Sequence, residues 1–113
     1  MVDSTYDFAV IGGGPAGYVA GVRAAQRGAK CIVIERDAMG GTCLNWGCIP
    51  SKSLIRSAEV YRTIKRAQDF GIEITGEIRA DLGQMIERKD KIVAGLVKGI
   101  EGLFKVHRVE RLA

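Results

Sequence analysis

The sequence is poor in residues that bind metals. Its 113 residues contain one histidine, His107, and three cysteines, Cys31, Cys43 and Cys48. A zinc site usually shows cysteines about two to four residues apart together with a second ligand pair. Cys31 and His107 are the only cysteine and histidine left to form that second pair. We therefore expect no metal site.

The sequence also lacks a long uncharged run. The longest, from 8 to 22, contains five glycines and a proline, and it is shorter than the roughly 18–20 residues that span a bilayer. Asp3 and Asp7 stand where a secretion signal has basic residues. We therefore expect no membrane partner and a cytoplasmic, reducing location, where paired cysteines are more often catalytic than structural.

Aromatic residues are few, at 6%, and the net charge of +4 is modest. The whole basic excess falls within 52–66. Because this stretch has no interleaved aromatic platform and no recognised binding motif, we expect a solvated helix face and no nucleic-acid partner. With 47% hydrophobic and 27% charged residues, the chain has the composition of one globular domain at most.

A glycine-rich turn follows the first apolar run. Residues 6–11 are rich in β-branched and aromatic types, and Gly12, Gly14 and Gly17 separate them from a helical pattern over 18–26. In a dinucleotide-binding turn, the first glycine makes the tight turn, the second admits a pyrophosphate and the third lets the helix lie close to the strand. The helix N-terminus then meets the phosphates.

An acidic residue supports this interpretation. Residues 30–34 read as a second, buried strand, and Glu35 follows at its end, 18 positions after Gly17. A carboxylate about 20 residues beyond the glycines is the group that accepts hydrogen bonds from an adenosine ribose. The alternative is a tight turn of some unrelated α/β fold with an exposed strand end. The order of strand, turn, helix, strand and acidic residue favours a dinucleotide.

Two cysteines lie in a setting that packing alone does not require. On a regular helix Cys43 and Cys48 would have Cα atoms about 8–9 Å apart, whereas a disulfide needs less than about 7 Å. If they pair, the backbone between them must be tightened, and Gly47 permits this. Pro50 favours a helix that begins near 49–50. Cys48 then lies at a helix N-terminus, and Lys52 follows one turn later. The helix dipole and the Lys52 ammonium both favour the thiolate form of Cys48.

These observations indicate redox-active cysteines, although two buried structural cysteines remain an alternative. A structural disulfide is typical of small secreted domains. Cys31, inside the second strand, is most simply a small buried hydrophobe, and we assign it no chemistry.

The second half of the chain predicts two helices and a strand. Apolar residues recur at helical spacing over 51–67, a loop follows over 69–79, and Asp81 is a suitable N-cap for a long second helix. Its four glycines suggest close packing against another helix or a partner chain. Residues 106–112 can form a third strand. Because a parallel half-sheet needs both faces covered, we expect the chain to be the first portion of a longer protein.

These motifs together resemble the amino-terminal segment of the flavin-dependent pyridine nucleotide–disulfide oxidoreductases. The resemblance rests on Gly-Gly-Thr-Cys-Leu-Asn-Trp-Gly-Cys-Ile-Pro-Ser-Lys at 40–52, Gly-Gly-Gly-Pro-Ala-Gly at 12–17 and Glu35-Arg36. Leu44-Asn45 and the run from Ile49 to Lys52 are most similar to the dihydrolipoamide dehydrogenase branch. Mercuric and glutathione reductases usually have valine after the first cysteine and before the proline. The resemblance implies an α/β, Rossmann-like FAD-binding domain, with a parallel βαβ core and a long additional helix, incomplete over 1–113.

The resemblance implies a role for each motif residue. Cys43 corresponds to the interchange thiol that meets the substrate, and Cys48 to the thiol nearest the flavin, which forms a charge-transfer complex as thiolate. The implied cofactor-binding residues are Gly12, Gly14, Pro15, Ala16, Gly17, Glu35, Arg36, Gly41, Thr42, Cys43, Cys48 and Lys52.

The implied activity is oxidation of dihydrolipoamide with reduction of NAD+ through the disulfide and tightly bound FAD. The implied partners are lipoyl domains of 2-oxoacid dehydrogenase complexes or the glycine cleavage system, and a second subunit in a homodimer. Because a second flavin contact, an NAD-binding domain, an interface domain and the His-Glu base are missing, the chain alone is expected to be inactive. A nucleotide-binding or assembly module with idle cysteines, or an NAD-binding domain proper, are alternatives.

Overall fold

The computed structural model describes residues 5–113. These residues contain three short parallel strands and four α-helices, with a single 3₁₀ turn after the third helix. In chain order they are β1 (Phe8–Ile11), α1 (Pro15–Gln26), β2 (Cys31–Ile34), α2 (Gly41–Asn45), α3 (Cys48–Lys65), the 3₁₀ turn (Ala67–Phe70), α4 (Leu82–His107) and β3 (Glu110–Leu112).

The sheet has the order β1-β2-β3, and both pairings are parallel. Val10 is aligned with Val33, and Ile34 is aligned with both Ile11 and Leu112. The predicted parallel βαβ core is therefore confirmed. The carboxyl ends of all three strands lie at one edge of the sheet, which is the edge where ligands bind in open parallel sheets.

The core lies on the helix-covered face of the sheet, where α1 and the second half of α4 pack. Cys31, Val33 and Met39 are fully buried. The core is apolar throughout: Val22, Cys31, Val33, Met39, Leu44, Ile100, Phe104 and Val109.

The opposite face of the sheet is open in the part of the chain that the structure describes. Ile11 and Leu112, which flank Ile34 on this face, are 88% and 52% exposed. Parallel sheets normally have both faces covered by helices, so this open apolar face is unusual.

The helices α3 and α4 form an antiparallel hairpin that extends beyond the sheet and gives the molecule dimensions of 67 × 25 × 18 Å. The predicted Asp81 N-cap is confirmed, since its carboxylate accepts a hydrogen bond from the backbone N–H of Gln84 at 3.0 Å. Arg88 on α4 donates to the buried side chain of Ser53 on α3 at 3.0 Å.

The structure changes three details of the sequence interpretation. The first helix begins at Pro15 and not near Tyr18, because proline suits a first helical turn. The short helix α2 was not predicted, since it is only five residues long. A side chain added at Gly95, Gly99 or Gly102 would meet no atom within 4 Å, so these glycines make no close helix contact with the described residues.

No helix among residues 5–113 is long and apolar enough to cross a membrane. The same residues contain no cluster of histidine, cysteine and carboxylate groups that could hold a metal ion.

Candidate functional site

The glycine turn connects the end of β1 to α1. Gly12 has φ of +101°, a conformation that glycine adopts without strain, and its N–H donates to the Ile34 carbonyl at 2.8 Å. A side chain at Gly17 would overlap the Gly12 carbonyl oxygen. The first and third glycines therefore have the roles that the sequence predicted for them, a tight turn and close contact of helix and strand.

The N-terminus of α1 offers an anion site. Gly14 is its N-cap, Pro15 occupies the first turn, and no side chain caps the helix. The first backbone N–H groups of a helix have no intrahelical partner, so those of Ala16 and Gly17 point out of the N-terminus. Together with the helix dipole they form an environment suited to a phosphate group.

Glu35 lies directly beside this turn. Its carboxylate accepts hydrogen bonds from the backbone N–H groups of Gly13 at 2.8 Å and Asp37 at 2.9 Å. The hydrogen bond from Asp37 is the main reason that the Glu35 pKa is lowered, followed by that from Gly13; the charges of Arg36 and Arg111 act in the same direction. The half-buried carboxylate is therefore an ionised hydrogen-bond acceptor close to the glycine turn.

Cys43 and Cys48 form a disulfide whose Cα atoms are 4.7 Å apart. This spacing is possible because the helix stops between them: α2 ends at Asn45, and α3 begins at Cys48. The predicted break at Gly47 is confirmed, since Gly47 is the N-cap of α3. Cys48 is exposed at the helix N-terminus, and Cys43 is half-buried.

Gly47 also gives the disulfide turn its space. A Cβ atom at this position would lie 3.0 Å from the Thr42 carbonyl oxygen and 3.3 Å from the Cys43 Cα. These distances are tighter than ordinary contacts, so the return of the chain onto α2 depends on the missing side chain.

The glycine turn and the cysteine motif are in direct contact. The Gly40 N–H donates to the Gly13 carbonyl at 2.8 Å, and a Cβ atom on Gly41 would lie only 2.8 Å from the Gly14 Cα. The backbones of the two motifs thus pack together without side chains between them. A molecule whose phosphates rest on the α1 N-terminus meets the start of α2, the helix that carries Cys43.

Two residues that support this contact were not assigned a role from the sequence. Met39 is fully buried beneath Gly13, where a Cβ atom would come within 2.7 Å of the Met39 sulfur. Asn45 donates through its side-chain amide to the carbonyls of Met39 at 3.1 Å and Gly41 at 3.0 Å. The sequence offered one signal for the role of Asn45. Asparagine side chains commonly hydrogen-bond to nearby backbone groups, and Asn45 ends a helix that begins with Gly-Gly.

The remaining predicted residues lie at the surface around this centre. Thr42 and Lys52 are exposed, with Lys52 one turn after Cys48 on α3. Arg36 is also exposed, and its guanidinium lies 3.7 Å from the Asp37 carboxylate. The structure therefore brings the glycines, Glu35 and the cysteines together, and leaves these three side chains without a fixed position toward them.

Cys31 and His107 lie outside the site, as expected. Cys31 is fully buried in β2, and burial raises the pKa of its thiol, which makes it inert as a nucleophile. His107 ends α4 and lies 3.2 Å from the Gln26 side chain.

A groove of about 600 Å³ lies between the outer halves of α3 and α4. It is lined by residues such as Val60, Met85 and Arg88, and no predicted site residue lines it. The candidate site therefore does not lie in this groove, because it is an open surface at the sheet edge.

The chain matches known proteins over nearly its whole length. The family described as pyridine nucleotide-disulphide oxidoreductase matches residues 6–112. Relatives include a dihydrolipoyl dehydrogenase of Acholeplasma laidlawii, with 44% identity over 93% of this chain and 31% of the relative. A dihydrolipoyl dehydrogenase of Bacillus subtilis is 47% identical over 93% of this chain and 22% of the relative.

A third relative is a dihydrolipoamide dehydrogenase of Chaetomium thermophilum, which is 51% identical over 94% of this chain and 21% of its own length. The chain thus spans about a fifth to a third of the length of these relatives. The family match covers the glycine turn, Glu35 and the disulfide alike. The chain therefore belongs to the pyridine nucleotide-disulphide oxidoreductase family.

Proposed function

We propose that the chain is the amino-terminal part of the FAD-binding domain of a dihydrolipoamide dehydrogenase. The observation that carries the proposal is the contact between the glycine turn and the disulfide motif, through Gly40–Gly13 and Gly41–Gly14. The relatives described above are named dihydrolipoyl dehydrogenase or dihydrolipoamide dehydrogenase. In the complete protein, the activity is oxidation of dihydrolipoamide to lipoamide with NAD+ as the final acceptor.

The residues present fit a flavin dinucleotide, and the family implies flavin binding. Gly14 and Gly41 leave a strip of bare backbone that a Cβ on Gly41 would fill, and α1 presents an uncapped N-terminus. Gly12, Gly14, Pro15, Ala16 and Gly17 would hold the pyrophosphate. Glu35 and Arg36 would hold the adenosine ribose end, while Gly41, Thr42, Cys43, Cys48 and Lys52 would line the flavin end.

The disulfide is the group of this chain that reacts with substrate. A thiolate of dihydrolipoamide attacks the Cys43 sulfur, which breaks the Cys43–Cys48 bond and leaves Cys48 as a thiolate. The second substrate thiol then attacks the substrate sulfur bound to Cys43, so that lipoamide leaves as a cyclic disulfide and Cys43 becomes a thiol. Two electrons have moved from the substrate to the cysteine pair.

The position of Cys48 suits the thiolate form. It is the first residue of α3, where the helix dipole favours negative charge, and Lys52 lies one turn further along the same helix. Bound FAD would be the acceptor of these two electrons and would transfer them to NAD+.

The partners belong to the same proposal. The substrate is the dihydrolipoyl group of lipoyl domains in 2-oxoacid dehydrogenase complexes or the glycine cleavage system, and the complete protein is a homodimer. A cytoplasmic location remains a prediction, because a relative from Dictyostelium discoideum is named mitochondrial.

A chimaera tests the proposal. Residues 6–112, the range that the family matches, would replace the corresponding segment of the Bacillus subtilis relative, and steady NADH formation from dihydrolipoamide and NAD+ would be measured. We expect turnover that is lost in the Cys43→Ser and Cys48→Ser variants and kept in Cys31→Ala.

Glutathione disulfide with NADPH and Hg2+ with NADPH test the alternative glutathione and mercuric reductases, and we expect neither pair to support turnover. A yellow, folded chimaera that ignores dihydrolipoamide would refute the proposal, and the 113-residue chain alone should produce no steady NADH.

A further inference from the structure

The peptide group of Asp37 is held from both sides. Its N–H donates to one carboxylate oxygen of Glu35 at 2.9 Å, and its carbonyl accepts a hydrogen bond from the Arg111 guanidinium. The other Glu35 oxygen is fixed by the Gly13 N–H. Asp37 therefore connects Arg111 on the third strand to the carboxylate beside the glycine turn.

Arg111 is itself fixed in place. It is aligned with Val33 in the pairing of β3 with β2, and its guanidinium lies 3.8 Å from the Glu101 carboxylate on α4. The strand β3, which carries Arg111, also binds the backbone just before Asp37, since the Glu35 N–H donates to the Leu112 carbonyl at 2.8 Å. The two ends of the connection are therefore anchored by sheet and helix.

We infer that Arg111 is a positioning residue that holds the Glu35 carboxylate toward the dinucleotide's ribose through the Asp37 peptide. This inference rests on the proposed cofactor site and adds a residue to it. A peptide group can rotate about its flanking bonds. With its carbonyl bound by Arg111, the Asp37 N–H stays directed at Glu35, which leaves the remaining lone pairs of that carboxylate free for ribose hydroxyls.

The charges around Glu35 support this role. Arg36 and Arg111 are the cations whose fields lower the Glu35 pKa. The Asp37 carboxylate faces Arg36, and the Glu101 carboxylate faces Arg111. Arg111 thus acts on Glu35 in two ways, through the peptide that it holds and through its charge.

An NMR titration of backbone amides separates these effects from general stability. The Asp37 and Gly13 amide protons both bond the Glu35 carboxylate, so both resonances should shift as Glu35 is protonated. In Arg111→Met, which keeps a long side chain without a donor, we expect the Asp37 response to disappear and the Gly13 response to remain. The Glu35 pKa should rise toward its ordinary value, because a lowering charge has been removed.

Two further variants of Arg111 and one control variant make the result of the amide titration decisive. Arg111→Lys, which keeps the charge and one donor, should restore most of the Asp37 response. Arg111→Thr suits a strand but is too short to reach Asp37, so it should repeat the Met result if the Met variant fails to fold. Arg66→Met, on the far end of the hairpin, is the matched control and should behave as the wild type.

Binding of ADP, measured by calorimetry, connects the inference to the site. Loss of one positioned hydrogen bond should raise the dissociation constant about fivefold in Arg111→Met. If the wild-type chain does not bind ADP, the proposed cofactor site fails, while the amide titration still decides the role of Arg111. An unchanged Asp37 response in Arg111→Met would overturn the inference even if ADP binds.

Discussion

At the scale of single residues, Gly14 and Gly41 allow the two motifs of the site to touch. Gly41 has φ of +62° and faces the Gly14 backbone, whereas Gly71 has a similar φ of +73° with open space around it. A comparison of substitutions at Gly41 and Gly71 therefore separates the free-energy cost of a left-handed backbone from that of a steric clash.

Alanine at Gly41 should therefore be more harmful than alanine at Gly71. Each substitution costs about 1–2 kcal/mol of unfolding free energy for the left-handed backbone. Gly41→Ala should cost a further 1–3 kcal/mol, approximately, for the overlap with Gly14, and it should also abolish ADP binding. Urea unfolding and calorimetry measure both effects, and equal losses in the two variants would contradict the contact described here.

At the scale of elements, the break between α2 and α3 is what lets the two sulfurs meet. The chain leaves α2 at Asn45 and starts α3 at Cys48. Gly47 folds back against Thr42 and Cys43 at distances that are tighter than ordinary contacts for a Cβ atom. The disulfide and the turn therefore depend on each other.

Alanine at Gly47 should weaken the disulfide. In the disulfide-bonded form, the alanine Cβ must push Thr42 and Cys43 away, which costs about 1–3 kcal/mol. Reduction of the disulfide lets the turn relax and removes this cost. The equilibrium constant for disulfide formation in a glutathione buffer should fall by about fivefold or more.

The measurement is the oxidised fraction after thiol trapping and mass spectrometry. Gly102→Ala, at an open position on α4, should leave that fraction unchanged. A Gly47→Ala variant that closes as readily as the wild type would show that the turn tolerates a side chain.

At the scale of the whole molecule, the α3–α4 hairpin carries the disulfide at one end and extends away from the sheet. Arg88 fastens the two helices by donating to the Ser53 hydroxyl at 3.0 Å and to the Ser53 carbonyl at 3.3 Å. Ser53 is the one buried polar side chain among the described residues. Loss of a hydrogen bond to a buried group lowers stability, because the buried group is left unsatisfied.

Loss of Arg88 should loosen the hairpin before the sheet. Arg88→Met removes both bonds and should lower the free energy of unfolding by about 1–3 kcal/mol, with faster amide exchange in α3 and α4 than in β1–β3. Arg79→Met is the matched control, because Arg79 forms only an exposed ion pair with Glu77. Equal exchange rates in the two variants would argue against the Ser53 contact.

Much of the site could be predicted because its signals are local. The positive φ at Gly12, the close contact made by Gly17, the helix start within two residues of Pro50 and the N-cap at Asp81 each depend on a few neighbouring residues. Short-range chemistry of this kind is present in the sequence itself. The pairing of Cys43 with Cys48 was left open by spacing alone, because it depends on how α2 turns into α3.

The sequence by itself determined the order of the strands and of the longer helices, the glycine turn and the presence of two close cysteines, since backbone propensity and hydrophobic period act over a few residues. Only the tertiary structure decided that Gly13 and Gly14 pack against Gly40 and Gly41, or that Arg111 reaches Asp37. These contacts join residues that lie 27 to 74 positions apart, so they exist only when burial of the core brings the sheet edge and α2 together.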